Sequence, residues 1–220
     1  MAFLSGCGKK TPSVPITAGP TPVPYVLDDM ESGINDWVNV VDSLGNLDAE
    51  PAIISPGNSG SYGLTITYTV ETEGASAPYE GRVYSFKLPV CTNVIYCSAD
   101  ITDYVLTGGP ALTGYTALKF DAKIAASTMP AAGTLAYSIR IKPNRPCGGT
   151  WDKYAEAPYT PGTSWSEISI PISSLTVTGT DTLAQILDDI YSVEFDMSIT
   201  SPQLGDNAVV VLYLDNIRFE

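Results

Sequence analysis

The chain has 220 residues, which suits one large domain plus a tail, and its net charge is −13 although only 16% of its residues are charged. Such acidity disfavours nucleic acid as a partner, because a negative surface repels phosphate groups. The sequence contains no histidine, which excludes Ser-His-Asp and Cys-His nucleophile systems and removes the commonest zinc ligand. An enzyme would have to rely on carboxylates alone, and we expect a protein that is not an enzyme.

The N-terminal residues predict a lipid anchor followed by an extended tether. Residues 4–7 read Leu-Ser-Gly-Cys, which resembles the lipobox of bacterial lipoproteins and makes Cys7 the candidate lipidation site. Only Ala2 and Phe3 lie between Met1 and this motif, whereas a secretion signal needs about 7–15 apolar residues, so we expect a truncated chain or a misplaced start. Residues 1–24 would then form a lipobox-like start and a Pro/Thr-rich arm. These features predict an extracellular or cell-surface lipoprotein that contacts the membrane only through its lipid.

Residues 25–220 are predicted to form one all-β domain, since alternating segments are separated by clusters of Gly, Pro, Asn and Ser. The alternating segments cover residues 64–70, 118–124, 135–142, 168–172 and 193–199. The last segment, 209–219, is apolar on both faces at first, which predicts a strand covered on both sides. A short helix is indicated around residues 183–190. Residues 89–114 are too long for a tight turn, so we expect an insertion or a loop over the edge of a β-sandwich.

The sequence has four cysteines, and thiols in loops of a secreted protein usually pair. Cys91 and Cys97 would close the shortest loop and are our first choice for a disulfide bond. Pairing of Cys147 with either of them is the alternative. If Cys7 carries lipid, one of the other three remains unpaired.

Five segments follow one another in an order typical of one fold. They are residues 27–37, with Leu-Asp-Asp-Met-Glu and then Gly33 and Trp37, followed by 57–62, 115–120, 163–172 and 212–219. Together they resemble the carbohydrate-binding-module jelly rolls of the galactose-binding-like superfamily. The resemblance implies a single jelly-roll β-sandwich of two antiparallel sheets, preceded here by the extended N-terminal arm. It also implies non-catalytic binding of a polysaccharide or surface glycan, although the superfamily serves many other partners.

The same resemblance implies a structural Ca²⁺ ion. In that family the opening acidic residue and the closing Asp-Asn-Ile commonly share the ion, which gives Glu31 and Asp215 as carboxylate ligands and Asp29 as a further candidate. Carbonyl groups of the turn at residues 57–61 would complete the site, because calcium takes six to eight hard oxygen ligands. The alternative is that these carboxylates are solvated charges at strand ends.

Polar residues at alternate positions of the central strands predict a ligand-binding face, since residues i and i+2 of a strand share a face. This face would bring together Lys119, Asp121, Arg140, Glu194 and Asp196. Arginine and carboxylate groups form planar hydrogen bonds that suit sugars. The candidate aromatic platforms are Trp151, Tyr154, Tyr159 and Tyr84. The alternative is an ordinary solvated face, while Trp37, Trp165, Tyr68 and Tyr137 are predicted to belong to the core.

Two other functions stay open on the sequence. The spacing of Glu194 and Asp196, about 6–7 Å along a strand, is compatible with glycoside hydrolysis, but no other residue supports an enzyme. The second function is that of a self-assembling subunit of a surface fibre or layer, because an extended N-terminal arm can add a strand to a neighbour's sheet edge. A monomer in solution would favour the binding domain, and filaments would favour the subunit.

Overall fold

The structure is a computed structural model, and it describes most of the chain from residue 23 onward. The described residues are 23–32, 37–40, 47–71, 79–85, 93–96, 104–107, 111–125, 134–143, 153–188, 190–200 and 207–220. Cys7, Cys91, Cys97, Cys147 and Trp151 lie outside them. The predicted lipid anchor, disulfide bond and Trp151 platform therefore remain predictions.

Strands dominate the described residues, and their bounds are as follows. They are β1 (Tyr25–Asp28), β2 (Trp37–Val40), β3 (Leu47–Ile54), β4 (Gly63–Glu71), β5 (Tyr79–Ser85), β6 (Asn93–Tyr96), β7 (Tyr104–Thr107), β8 (Ala117–Ala125), β9 (Thr134–Pro143), β10 (Tyr154–Tyr159), β11 (Ser166–Pro171), β12 (Thr176–Thr178), β13 (Ile190–Thr200) and β14 (Asn207–Phe219). A 3₁₀ helix spans Ile172–Ser174, and the helix α1 spans Leu183–Asp188, which confirms the predicted helix. No helix within the described part of the chain has the length and apolar character needed to cross a bilayer.

Two six-stranded sheets form the body of the domain. The first sheet has the order β11-β8-β14-β4-β3, with β1 paired to the C-terminal end of β14, and the second has the order β12-β10-β9-β13-β5-β2. The pairings within both sheets are antiparallel. Strands β6 and β7 form a separate antiparallel pair inside the segment that was expected to be a loop or insertion. The predicted all-β sandwich of two antiparallel sheets is therefore confirmed.

The core lies between the sheets because each strand turns its apolar positions inward. Leu64, Ile66 and Tyr68 alternate on β4 and are fully buried. Phe120 of the first sheet meets Phe195 of the second edge to face, with ring centroids 5.2 Å apart. Trp37 is buried against Phe195 with its centroid 6.0 Å away, as predicted for a core residue. Such aromatic contacts contribute about 0.5–1.5 kcal/mol beyond their burial.

Three tyrosines bring hydroxyl groups into this core. The Tyr68 hydroxyl donates to the carbonyl of Phe195 at 3.1 Å, whereas the hydroxyls of Tyr137 and Tyr159 are buried without a hydrogen-bond partner. Burial raises the pKa of Tyr68 and of Tyr159 well above the usual value, and it raises the pKa of Tyr137 to about 12. All three phenols are therefore neutral core side chains at ordinary pH, as the sequence predicted for Tyr68 and Tyr137.

A bulge near the end of β14 reverses which side chains face inward. The pairing of β14 with β8 shifts between Asp215 and Arg218, and Asn216 adopts a left-handed backbone with φ 52°. Asparagine tolerates this conformation better than most residues. Without the extra residue, strict alternation from Asp215 would turn Ile217 outward. With it, Asp215 stays on the outward face while Ile217 and Phe219 enter the core.

Two sequence predictions about packing are wrong. Strand β14 is not covered on both faces, because Val209 on its outward side is 36% exposed. Trp165 is only partly buried, and it packs against Tyr213 on the outward face of the first sheet with ring centroids 6.2 Å apart. The inward positions of β11 are taken by Ile168 and Ile170, which pack on the core.

Candidate functional site

The outward face of the second sheet carries a compact set of polar side chains, which we call the charged face. Strand β13 turns Val193, Phe195 and Met197 into the core, so the residues between them point away from it. The pairing of β13 with β9 sets Glu194 opposite Arg140, and the pairing of β10 with β9 sets Glu156 opposite Arg140 on the other side. The charged face comprises Arg140, Lys142, Tyr154, Glu156, Ser192, Glu194 and Asp196.

Arg140 is the centre of the charged face. Its Nη1 lies 2.8 Å from the carboxylate of Asp196, its Nε donates to Glu156 at 2.9 Å, and its guanidinium lies 4.7 Å from the ring centroid of Tyr154. Burial alone would lower the pKa of Arg140, but the carboxylates of Asp196 and Glu156 outweigh it and raise that pKa. The group is thus a permanent cation whose orientation is set on several sides before any ligand arrives.

A second buried ion pair lies beside it. Lys142 Nζ is 2.8 Å from Glu194 Oε1, and both side chains are at most 10% exposed. The Ser192 hydroxyl also donates to Glu194 Oε1, at 3.4 Å, while Glu194 Oε2 is buried without a hydrogen-bond partner. Buried charges of this kind are costly unless they are paired. The charged face is therefore a rigid, pre-organised array of planar hydrogen-bonding groups.

Asp121 does not belong to the charged face, and the prediction that placed it there is wrong. Asp121 and Lys119 lie on β8 of the first sheet, whereas Arg140, Glu194 and Asp196 lie on the second. Alternation determines whether a residue points inward or outward, but it contains no information on which of two sheets a strand joins. Asp121 instead accepts a hydrogen bond from the Ser59 hydroxyl at 2.6 Å.

The four predicted aromatic platforms have different outcomes. Tyr154 lies on the charged face and is partly exposed, as expected. The prediction for Tyr159 is wrong, because its ring is buried in the core, 5.2 Å from the centroid of Phe120. The backbone of Tyr84 pairs with Glu194, but its side chain lies outside the described part of the chain, as does Trp151.

A second cluster of polar groups lies at one end of the first sheet, around the turn at residues 55–63. Asp215 Oδ2 accepts the backbone N–H groups of Asn58 and Ser59, each at 2.7 Å, and Glu31 Oε1 accepts the N–H of Tyr62 at 2.9 Å. The structure thus brings Glu31 and Asp215 to the same turn, as predicted. Glycine is needed at Gly57, since a Cβ there would overlap the backbone carbonyl of Tyr62. The exposed Asp29 accepts only the nearby N–H of Glu31, at 3.1 Å, among the contacts described.

The donor set at this turn bears on the predicted calcium ion in two ways. Asp215 is 1% exposed, and its Oδ1 is buried without a hydrogen-bond partner, so one oxygen is available to a cation. Within the described residues, however, no three His, Cys, Asp or Glu side chains are close enough to share a metal ion. A cation at this turn would therefore need main-chain oxygens as further ligands.

Sequence reasoning missed part of the charged face. Lys142 continues the alternation of Ser138 and Arg140 on β9, and Glu156 alternates with the core residues Ala155 and Ala157 on β10. The signal for Lys142 was present in the period of two. The signal for Glu156 was weak, because alanines give little apolar contrast.

Comparison with known proteins supports the architecture. No protein-family model matches the chain, and no curated protein matches it. Among solved structures, a family 11 carbohydrate-binding module from Clostridium thermocellum in complex with a β-1,3-1,4-mixed-linked tetrasaccharide is similar, with a TM-score of 0.53 and 20% identity over 89% of this chain and 94% of that chain. The family 11 module of the cellulosomal cellulase Lic26A-Cel5E of Clostridium thermocellum is also similar, with a TM-score of 0.52 and 19% identity over 90% of this chain and 94% of that chain. The chain therefore has the β-sandwich fold of these modules.

Proposed function

We propose that this domain is a non-catalytic carbohydrate-binding module whose charged face binds a neutral polysaccharide. The observation that carries the proposal is the fixed array of Arg140, Tyr154 and the carboxylates around them, on a fold shared with carbohydrate-binding modules. Sugar recognition combines planar hydrogen-bonding groups with an aromatic ring that can lie against a sugar. Tyr154 supplies the aromatic ring and Arg140 the planar hydrogen-bonding group, from the neighbouring strands β10 and β9.

The charges of the face favour a neutral ligand. Among the side chains that the structure describes on this face, the cations Arg140 and Lys142 are accompanied by the carboxylates of Glu156, Glu194 and Asp196. The whole chain has a net charge of −13, which adds a repulsion against polyanions. Both Glu194 and Asp196 are held in ion pairs, and this arrangement disfavours the enzyme hypothesis, which needs one carboxyl group free to donate a proton.

The test is binding of the β-1,3-1,4-mixed-linked tetrasaccharide and of several neutral polysaccharides, measured by affinity electrophoresis and calorimetry. The variant Tyr154→Ala removes a partly exposed ring without leaving a buried charge, so we expect it to fold and to lose about tenfold in affinity, since burying apolar ring surface against a ligand is worth on the order of 1–2 kcal/mol. Tyr62→Ala is the matched control, because Tyr62 is 43% exposed and lies at the turn of the first sheet. Equal affinity of Tyr154→Ala and the wild type would refute the proposed face.

The predicted Trp151 platform gives a second variant for the same assay. Trp151→Ala is expected to weaken binding with the circular dichroism spectrum unchanged. Arg140→Ala is less informative, because it removes a buried cation that contacts Asp196 and Glu156 and so destabilises the fold.

We also propose that a Ca²⁺ ion stabilises the turn at residues 55–63, held by Asp215 and Glu31 with main-chain oxygens. The buried Asp215 Oδ1 supports this proposal. Asp29 is left out of the ligand set, because its carboxylate is exposed and caps a local turn. A bound ion adds to folding stability by mass action. A chelator should therefore lower the Tm and added calcium should restore it, and an unchanged melting curve would remove the ion from the proposal.

We further propose that the domain is displayed outside the cell by a lipid on Cys7 and the Pro/Thr-rich arm. The sequence motif alone supports this part. Metabolic labelling with a fatty-acid analogue should mark the wild-type protein and leave the Cys7→Ser variant unmarked. The self-assembling subunit has no observation in its favour among the described residues, so we do not propose it.

A further inference from the structure

The outward face of the first sheet carries an aromatic cluster that the core does not require. Trp165, Lys123 and Tyr213, which we call the aromatic cluster, lie side by side at neighbouring strands. Lys123 and Tyr213 are register partners between β8 and β14. The rings of Trp165 and Tyr213 are 6.2 Å apart at an angle of 72°. Neither ring belongs to the hydrophobic core, nor to the partly buried apolar residues packed on it.

Lys123 is the second observation at this place. Its Nζ lies 4.8 Å from the Trp165 ring centroid and 4.7 Å from that of Tyr213. It has no carboxylate within ion-pair distance among the described residues. Every other described Lys or Arg side chain forms an ion pair, as seen for Lys119, Arg140, Lys142, Lys153 and Arg218. The Lys123 ammonium group lies over two rings, so its three N–H donors have no acceptor among the described residues. This is unexpected in a chain with so many carboxylates.

The surroundings add hydrogen-bonding groups and set the charge of any ligand. On β4, Thr65 is the register partner of Tyr213, and Thr67 follows on the same outward face. The whole chain has a net charge of −13, which outweighs the single positive charge of Lys123. An anionic ligand would be repelled, whereas a neutral molecule with many hydroxyl groups would meet ring surface, N–H donors and hydroxyls together.

We propose that the aromatic cluster is a second carbohydrate-binding site, which takes a neutral sugar ring against Trp165 and Tyr213 with its hydroxyls accepting from Lys123. The proposal rests on the proposed carbohydrate binding of the domain and extends it. The aromatic cluster and the charged face lie on the outward sides of opposite sheets, so one glycan chain cannot lie across both faces in a straight line. The domain would therefore cross-link two chains or bind one polysaccharide surface in two orientations.

The experiment is calorimetric titration of the full chain with the β-1,3-1,4-mixed-linked tetrasaccharide. We expect about two ligands per wild-type chain, one per chain for Trp165→Ala/Tyr213→Ala, and one per chain for Tyr154→Ala. The control Tyr62→Ala should keep two. Circular dichroism and the Tm check folding. Because the rings of Trp165 and Tyr213 lie outside the core, we expect the spectrum and the Tm of the double variant to match those of the wild type.

The outcomes separate this proposal from the first one. A wild-type stoichiometry of one, unaffected by Trp165→Ala/Tyr213→Ala and lost in Tyr154→Ala, overturns the second site and leaves the charged face as the binding site. A stoichiometry of one that is lost in Trp165→Ala/Tyr213→Ala but kept in Tyr154→Ala supports the aromatic cluster and overturns the charged face. No binding by the wild type to this tetrasaccharide or to any neutral polysaccharide overturns both.

Discussion

The two sheets hold their charged side chains in different surroundings. On the charged face of the second sheet, the side chains of Lys142 and Glu194 are 10% and 4% exposed. At the end of the first sheet, Lys119, Glu167, Arg218 and Glu220 form a network in which Glu167 is 46% exposed. Both networks contain short ion pairs, such as Lys142–Glu194 at 2.8 Å and Arg218–Glu220 at 2.7 Å, so distance does not distinguish them. Burial distinguishes the two networks, because water solvates an exposed charge that loses its partner but cannot solvate a buried one.

The largest expected effect is therefore in the buried pair. Lys142→Met keeps much of the side-chain volume but leaves the Glu194 carboxylate buried without its cation. We expect it to lower the free energy of unfolding by about 3–5 kcal/mol, measured by urea denaturation. The double variant Lys142→Met/Glu194→Met should recover most of this loss, because no charge remains uncompensated. A loss of less than about 1 kcal/mol in the single variant would show that water solvates the pair.

The core tyrosines sharpen the same distinction with uncharged groups. Tyr68→Phe removes a hydroxyl that donates to Phe195 and should cost about 1 kcal/mol. Tyr159→Phe removes a buried hydroxyl without a partner, so we expect an unchanged or slightly higher stability. Urea unfolding of the two variants in parallel provides the measurement. Equal losses would indicate that an ordered water satisfies the Tyr159 hydroxyl.

The exposed network should respond weakly. Glu167→Gln removes a carboxylate that contacts Arg218 and Lys119, and we expect a loss of at most about 1 kcal/mol, smaller still in high salt. The loss in the free energy of unfolding should be compared with that of Lys142→Met, measured under the same conditions. A loss for Glu167→Gln as large as that of the buried pair would refute the claim that burial decides the cost.

The smallest effect concerns pH. Hydrogen bonds from Lys119 and Arg218 lower the pKa of the Glu220 side chain. A pKa lower in the folded than in the unfolded state stabilises the fold above the unfolded pKa, and this contribution is lost as the pH falls through the folded value. NMR titration should show Glu220 ionising below an ordinary glutamate in the wild type. In Arg218→Ala the value should move upward toward the ordinary one, and no movement would contradict this assignment.

The period of two in the sequence predicted the strands and their inward faces well. Leu64, Ile66 and Tyr68 are core residues for the reason that the alternation indicates. The same rule would have placed Trp165 correctly, because it precedes the inward Ile168 by three positions, an odd number. Trp165 was instead predicted to be a core residue. For a large aromatic residue, position in the period was the better guide than apolar character.

Other parts of the site were beyond the reach of local pattern. Asp121 and Arg140 are both outward-facing strand residues, and only the pairing of distant strands puts them on different sheets. On β10, Ala155, Ala157 and Tyr159 all point inward. This alternation is hard to recognise in the sequence, because alanine differs little from its polar neighbours in hydrophobicity. Long-range pairing and weak apolar contrast thus explain the errors at the predicted ligand-binding residues.

The pairing of β1 with β14 has a mechanical consequence. Tyr25 pairs with Phe219 and Val26 with Arg218 in antiparallel register, so the two ends of the domain leave it side by side. A force that pulled on these ends in opposite directions would load the hydrogen bonds between the two strands one after another, as a zipper opens, and would not load them all at once in shear. An attachment on the N-terminal side, as proposed here, would pass tension from a ligand on either face into the sandwich through β1 and its pairing with β14.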